Sequence, residues 1–194
     1  MKDPLVWIDL EMTGLDPERD AILEVAVVVT DGSLDEVIEG PDLVLSANDQ
    51  QLKGMDPIVQ KMHEASGLAD EAGKSSLTAS EAEARVLDFV MQRVPEPGTA
   101  PLAGNSVHVD RAFLHRYMPR LEAWLHYRNV DVSTLKELVR RWDPESYGRM
   151  PQKEGVHRAL GDVLESIEEL RSYRKLLFPE PVRLDSTGVD QGRA

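Results

Sequence analysis

The chain has 194 residues, 41% of them hydrophobic and 29% charged, a composition typical of one globular domain. It has no cysteine, which excludes a disulfide framework and a thiolate metal site. No stretch is long enough to span a bilayer, and the first apolar run, Leu5 to Ile8, is too short for a signal peptide. We therefore expect a cytoplasmic protein with no membrane partner.

The net charge of −13 argues at first against a nucleic-acid partner. The charge is distributed unevenly, because residues 1–100 contain 7 basic and 21 acidic residues, whereas residues 101–194 contain 15 basic and 14 acidic ones. A long duplex-binding surface is therefore not expected. A small anionic ligand held locally, in part through bound cations, remains open, and so does ordinary variation in surface charge.

The chain begins with three segments that are typical of β-strands. Residues 5–12 and 21–30 are apolar and rich in β-branched side chains. The turn signal Asp31-Gly32 precedes a third segment at 35–46, in which Gly40-Pro41 indicates a bulge or bend. The short connections between these segments predict an antiparallel meander.

Helix signals and short strands alternate in the rest of the chain. Asp56-Pro57 begins a helix that ends at Ser66-Gly67, and Thr78 to Glu81 form the capping box of a helix that reaches about Gln92. The remaining predicted elements are a strand at 100–104, helices at 107–117 and 119–127, a strand at 128–132, a helix from Thr134 to Trp142, a loop at 143–155 and a helix at 158–177.

This order of elements predicts an α/β domain with a mixed sheet and helices on both sides. We expect the domain to cover residues 1–178. Residues 179–194 contain few apolar side chains and are predicted to form a disordered tail.

Two acids lie one residue apart in the first predicted strand. Side chains alternate between the faces of a strand, so Asp9 and Glu11 share one face, with Cα atoms roughly 7 Å apart. Either that face meets water, or the two carboxylates hold a cation between them. Oxygen ligands in a chain without cysteine favour Mg²⁺ or Mn²⁺ over a structural zinc ion.

Two later segments contain further candidate residues. In GNSVHVDRAFL, residues 104–114, Asp110 falls in the first turn of a predicted helix, where the helix dipole alone also favours an acid. In HRALGD, residues 157–162, His157 lies at the start of the last helix and Asp162 follows it by about 140° of rotation on an ideal helix. The two side chains share a face only if His157 lies in the preceding loop, and a surface histidine is the alternative.

DLEMTGL, GNSVHVDRAFL and HRALGD, in this order, closely resemble the three motifs of the DEDDh group of 3′→5′ exonucleases. The segment HYRNVDVSTLKELVRRW, residues 126–142, narrows the resemblance to the oligoribonucleases. The similarity covers nearly the whole chain except the tail. It implies a ribonuclease H-like fold, a homodimer, and cleavage of short RNA oligonucleotides and dinucleotides to nucleoside 5′-monophosphates.

The resemblance also implies the catalytic residues of this chain. Matched by position, the acids that bind two divalent ions, Mg²⁺ or Mn²⁺, are Asp9, Glu11, Asp110 and Asp162. His157 matches the general base, which takes a proton from the attacking water. An imidazole suits this task because its unperturbed pKa is near 6.5.

The substrate-binding residues that the resemblance implies fall into two groups. At the 3′ end of the RNA, the first group consists of the backbone at Met12 and Thr13, the apolar wedge Leu15 and, near the base pocket, His63. At the other end, the residues that hold a 5′-phosphate are Ser106, Arg128, Ser133 and Thr134. Tyr127 matches a residue that the partner subunit contributes. A guanidinium and hydroxyl donors suit a phosphate. The alternatives are a core position for Leu15, and local helix capping by Ser106, Ser133 and Thr134.

The chain departs from the family at one position. After Met55-Asp56 many members have a tryptophan that stacks on a base, whereas this chain continues with Pro57-Ile58-Val59. Ile58 offers apolar contact but no π face, so a stacking energy of ~1–3 kcal/mol is lost or relocated.

Three other functions compete with this interpretation. The first is a related exonuclease that acts on DNA or longer RNA, against which the segment 126–142 argues. The second is a non-catalytic nucleic-acid-binding module of the same fold, in which one or more of the acids would be expected to be missing. The third is a magnesium-binding structural domain, which leaves the segment around Arg128 unexplained.

Overall fold

The computed structural model describes residues 1–150 and 158–178. The predicted tail, residues 179–194, lies outside the described residues. Within the described residues a five-stranded sheet has the order β3-β2-β1-β4-β5. In chain order its strands are β1 Leu5–Met12, β2 Ile22–Thr30, β3 Val37–Val44, β4 Pro101–Gly104 and β5 His126–Asp131.

The sheet is mixed, as the sequence predicts. The first three strands pair in antiparallel fashion as a meander, whereas β4 runs parallel to β1 and β5 runs parallel to β4. The predicted bend in the third strand is confirmed, because the pairing of β2 with β3 shifts register between Ala26 and Val28, opposite Gly40-Pro41. Gly40 also allows a close approach, since a Cβ atom there would lie 2.5 Å from the ring of Phe89.

Helices cover both faces of the sheet. In chain order the helices of the described residues are α1 Asp49–Lys53, α2 Pro57–Ala65, α3 Leu68–Lys74, α4 Ala79–Arg93, α5 Val107–Tyr117, α6 Pro119–Trp124, α7 Val132–Trp142, α8 Pro144–Tyr147 and α9 Ala159–Leu177. The predicted starts of α2 at Asp56 and of α4 at Thr78 are confirmed, since both side chains cap the first turn. None of these helices combines the length and apolar content that crossing a bilayer requires.

The structure corrects four of the predicted elements. The helix predicted at 119–127 ends at Trp124, because the chain turns into β5 at His126. The strand predicted at 128–132 accordingly begins at His126 and ends at Asp131. Helix α7 begins at Val132 and not at Thr134, because the Asp131 carboxylate accepts the Ser133 N–H and caps it. The loop predicted at 143–155 contains α8, and the short helices α1 and α3 were not expected.

The alternation of side chains along β1 separates two hydrophobic cores. Val6, Ile8 and Leu10 pack on the face that α4 and α5 cover. Trp7 packs on the opposite face, where α7 and α9 supply Val139, Val163 and Ile167. Asp9 and Glu11 follow Trp7 on this second face, so the structure places them beneath α9.

Candidate active site

The two acids of β1 meet a third carboxylate from helix α9. Asp162 lies in the first turn of α9, and one carboxylate oxygen from each of Asp9, Glu11 and Asp162 lies within 4.8 Å of the other two. Such spacing fits oxygen ligands around one hard cation, whose bonds to oxygen are about 2.0–2.6 Å long. Glu11 is only 8% exposed, so water does not solvate it freely.

The electrostatics of the group also favour a cation. Burial, and then the negative charges of Asp162, Glu24 and Asp110, raise the pKa of Glu11 to about 7. A bound divalent cation would reverse this effect and hold the carboxylate in its charged form. The donor set, made of carboxylate oxygens alone, therefore fits the divalent metal that the sequence predicts.

The fourth predicted acid, Asp110, is buried beside β1. It lies in the first turn of α5, and its Oδ1 accepts the backbone N–H of Leu10 at 3.1 Å. Burial raises its pKa to about 7. The structure does not include Asp110 in the group of three acids that meet within 4.8 Å, but its charge contributes to the raised pKa of Glu11.

His157, the predicted general base, falls outside the described residues. Its assignment therefore stays a prediction. The described chain resumes at Arg158, whose backbone carbonyl accepts the N–H of Asp162 at 3.0 Å.

The loop after β1 presents Leu15 to solvent. Leu15 is 74% exposed, so the alternative of a core leucine is wrong. Thr13 is buried, and its N–H donates to the carbonyl of Ala21 while its hydroxyl donates to Asp20 at 3.2 Å. Asp20 Oδ2 accepts the N–H of Asp16 at 2.9 Å, which closes the loop upon itself.

His63 lies beneath the end of β1 and not on the surface. It is fully buried, and its Nε2 is 2.9 Å from the carbonyl oxygen of Met12. Its Nδ1 is 3.9 Å from Oε2 of Glu11. His63 thus binds the backbone of the predicted 3′-end segment and lies close to one of the acids.

Two of the residues predicted to bind a 5′-phosphate are neighbours. The hydroxyl oxygens of Ser106 and Ser133 are 3.2 Å apart, and the Ser106 N–H donates to Ser133 Oγ at 3.0 Å. Ser106 precedes α5 in the left-handed conformation, with φ of 53°, and its side chain makes no capping bond to that helix. The capping alternative for Ser106 is therefore wrong, and Asp131, not Thr134, caps α7.

The remaining predicted substrate residues are exposed. Arg128 and Tyr127 lie on β5 at the edge of the sheet, with the Arg128 guanidinium carbon 5.3 Å from the centroid of the Tyr127 ring. Thr134 lies in the first turn of α7. Tyr127 is 73% exposed, which leaves its ring open to contact.

Sequence reasoning missed Glu24, an acid in the middle of the apolar strand β2. It is fully buried, lies opposite Glu11 in the β1–β2 register and binds Arg158. One signal was available, because a charged residue inside a continuous apolar strand must be paired. Its partner could not be identified from the sequence, since Arg158 follows 134 residues later.

Solved structures similar to this chain are exonucleases. It aligns with exonuclease I from Methylocaldum szegediense with a TM-score of 0.62 at 21% identity, over 91% of this chain and 41% of that one. The E. coli exonuclease I in complex with a 5cy-dT13 oligonucleotide aligns with a TM-score of 0.64 at 20% identity, over 92% of this chain and 42% of that one. The chain thus spans less than half of these proteins, and the likeness confirms the ribonuclease H-like fold.

Sequence comparisons give the family. Residues 6–170 match the family described as Exonuclease, RNase_T. The oligoribonuclease of Rhodococcus jostii is 53% identical over 182 residues, which cover 93% of this chain and 92% of that protein. The oligoribonuclease of Streptomyces avermitilis is also 53% identical, over 93% of this chain and 90% of that protein. The chain therefore belongs to the exonuclease family and, within it, to the oligoribonucleases.

Proposed function

We propose that this protein is a 3′→5′ exoribonuclease that degrades short oligoribonucleotides, especially dinucleotides, to nucleoside 5′-monophosphates. The observation that carries the proposal is the meeting of Asp9, Glu11 and Asp162 within 4.8 Å in a chain of the oligoribonuclease family. Water is the second reactant: its oxygen bonds to phosphorus, the bond from phosphorus to the 3′-oxygen breaks, and that oxygen takes up a proton.

We assign the cofactor as two divalent ions, Mg²⁺ or Mn²⁺, with Asp9, Glu11, Asp110 and Asp162 as the ligands. When bound, such ions supply an activated water and stabilise the leaving oxygen. The oxygen-only donors and the raised pKa of Glu11 support this assignment. Asp110 would complete the site from the α5 side, where its Oδ1 is fixed by the Leu10 N–H.

The remaining residues act on the proton and the substrate. His157 takes the proton of the attacking water, a contribution typically worth about 10²–10⁴-fold in rate. Leu15 inserts beside a base at the 3′ end, which its exposure supports. Ser106, Arg128, Ser133 and Thr134 hold the 5′-phosphate, and the contact of Ser106 with Ser133 supports a shared anion site.

We further propose that the protein is a cytoplasmic homodimer in which Tyr127 completes the partner's site. The exposure of Tyr127 and Arg128 on the edge strand β5 supports a subunit contact there. Analytical ultracentrifugation tests the assembly, and a single species with the mass of one chain would contradict it.

Product analysis of the dinucleotide pGpG tests the activity. We expect conversion to GMP with Mg²⁺, no conversion with excess chelator, and a loss of at least ~10²-fold in Asp162→Asn, because this change removes the negative charge of a metal ligand and even the residues that support such ligands are typically worth 10–100-fold. Cleavage that survives the chelator would contradict the proposal. Faster turnover of a 20-mer DNA or RNA than of pGpG would favour the related exonuclease with a longer substrate.

A further inference from the structure

Helix α9, which carries Asp162, does not cap its own N-terminus. The first amides of a helix have no partner within the helix, and a side chain at the preceding residue usually accepts one of them. Arg158 occupies that position and makes no side-chain capping bond. Instead, the N–H of Ala159 donates to Oε2 of Glu24, 135 residues earlier in the chain, at 2.9 Å.

Both carboxylate oxygens of Glu24 are engaged at this junction. While Oε2 accepts from Ala159, Oε1 accepts Nε of Arg158 at 2.8 Å and lies 2.7 Å from its Nη2. Glu24 is fully buried, so its charge is tolerated only because these donors compensate it. Glu24 lies beside the cluster formed by Asp9, Glu11 and Asp162, but with its oxygens occupied in this way it is not a member of that cluster.

Arg158 connects α9 to a second helix. Its Nη1 and Nη2 donate to the two carboxylate oxygens of Glu71 on α3, at 3.2 and 3.1 Å. Strand β2, helix α3 and the first turn of α9 are therefore joined through one guanidinium. Because Glu24 also lies opposite Glu11, this junction fixes α9 relative to the strand pair that carries the other acids.

We propose that Glu24 and Arg158 are positioning residues for the nuclease reaction, which hold the first turn of α9 so that Asp162 stays within cation-binding distance of Asp9 and Glu11. The inference rests on the proposed function. It assigns Glu24 and Arg158 a specific effect on metal binding, beyond a general contribution to stability.

The same fold contains a matched control. Glu83 on α4 is also buried, and its Oε1 accepts the N–H of Arg120 at 2.6 Å and of Leu121 at 3.2 Å, at the start of α6. Its Oε2 accepts Nε of Arg120 at 2.8 Å. Glu83 thus combines a buried acid, an arginine and a helix N-terminus as Glu24 does, but in the core on the opposite face of the sheet.

The test compares Glu24→Gln with Glu83→Gln in the full chain, well below the melting temperature of each. Mn²⁺ affinity is measured by calorimetry, and amide hydrogen exchange reports on the first turn of α9. We expect Glu24→Gln to weaken Mn²⁺ binding by 10–100-fold, the range seen when a support of a metal ligand is removed, and to speed exchange in that turn. Glu83→Gln should lower the melting temperature without changing Mn²⁺ affinity.

Steady-state kinetics on pGpG give a second readout. Glu24→Gln should lower kcat by at least 10-fold with KM changed less than 3-fold, because the bonds of Glu24 run to Arg158 and Ala159 and not to the residues assigned to the substrate. Arg158→Gln should lower kcat in the same way. Arg158→Lys should lower kcat less, since lysine keeps a cation beside Glu24. If Glu24→Gln does not fold, Arg158→Gln and Arg158→Lys are compared with Glu83→Gln in its place.

Two results would overturn the inference. The first is a wild-type Mn²⁺ affinity in folded Glu24→Gln or Arg158→Gln, whatever the exchange rate of α9. The second is a weakening of Mn²⁺ binding in Glu83→Gln that equals the weakening in Glu24→Gln. Neither readout needs substrate. A wild-type protein that binds Mn²⁺ but leaves pGpG intact would therefore contradict the proposed function alone.

Discussion

Ile58 lies 80% exposed in the first turn of α2, at the position where many family members have a tryptophan. Replacing it with tryptophan supplies a flat π surface without disturbing a core. We expect Ile58→Trp to lower the Kd of pGpG by roughly 5- to 150-fold, the equivalent of ~1–3 kcal/mol of base stacking. Fluorescence anisotropy with Ca²⁺ in place of Mg²⁺ measures this, and an unchanged Kd would mean that no base reaches α2.

Arg128 tests the 5′-phosphate assignment at a single exposed side chain. Charged hydrogen bonds to a phosphate are worth about 1.5–3 kcal/mol. Arg128→Ala should therefore raise KM by at least 10-fold for pGpG but by less than 3-fold for GpG without the phosphate or for a longer RNA. The exposed Arg85 on α4 provides the control, since Arg85→Ala should change neither value. An equal loss on both dinucleotides would contradict the phosphate assignment.

At the scale of elements, the loop that presents Leu15 depends on close packing between Gly14 and Asp20. A Cβ atom on Gly14 would lie 2.4 Å from Oδ2 of Asp20, whose carboxylate is already fixed by Thr13 and Asp16. Gly14→Ala should displace the loop and raise KM for pGpG roughly 10-fold while Mn²⁺ affinity stays the same. Gly73→Ala on α3, where the new Cβ would make an ordinary contact at 3.5 Å, should leave KM unchanged. A wild-type KM in Gly14→Ala would show that the loop tolerates displacement.

Elements with strong local signals could be predicted from the sequence. The capping box at Thr78 placed the start of α4, and the predicted bounds of α5, 107–117, are those observed. The short helix α1 has a capping box of its own, formed by Asn48 and Gln51, but at 5 residues it has too few turns for a periodic pattern. Helix α7 was misplaced because Thr134 offered a competing cap signal inside it.

The meeting of Asp9, Glu11 and Asp162 was predictable for a different reason, namely the fixed order of three family motifs. Their supports were not, because Glu24 and Arg158 meet only through the fold. The buried position of His63 could not be predicted either, since its partner Met12 lies 51 residues away. Short-range rules describe single elements, and contacts between distant segments decide how a site is held.

At the scale of the whole molecule, the buried acids make the stability of the metal-free protein depend on pH. The pKa of Asp110 is raised from 3.8 to about 7, so its contribution to stability is complete below pH about 4 and is lost as the pH rises through 7. We expect the free energy of unfolding in chelator to fall between pH 5 and pH 8, by up to a few kcal/mol for this group. Urea unfolding at the two pH values measures the change.

Asp110→Asn removes this contribution, together with the part of the raised pKa of Glu11 that the charge of Asp110 causes. An asparagine oxygen can still accept the Leu10 N–H, but it does not titrate. The fall in stability between the two pH values should therefore be smaller in Asp110→Asn than in the wild type, while the exposed acids contribute equally to both. An identical fall in the two proteins would show that Asp110 does not titrate in this range.

Carboxylates from distant parts of the chain are proposed to form one divalent-cation site, on which the function depends. Electron paramagnetic resonance of Mn²⁺ added to metal-free protein with the product GMP, which has no phosphodiester bond left to cleave, measures the number of ions bound per chain. We expect two bound ions in the wild type. In Asp162→Asn with an unchanged circular dichroism spectrum, we expect weaker binding and at most one ion. Mn²⁺ binding that is the same in Asp162→Asn as in the wild type would contradict this proposal.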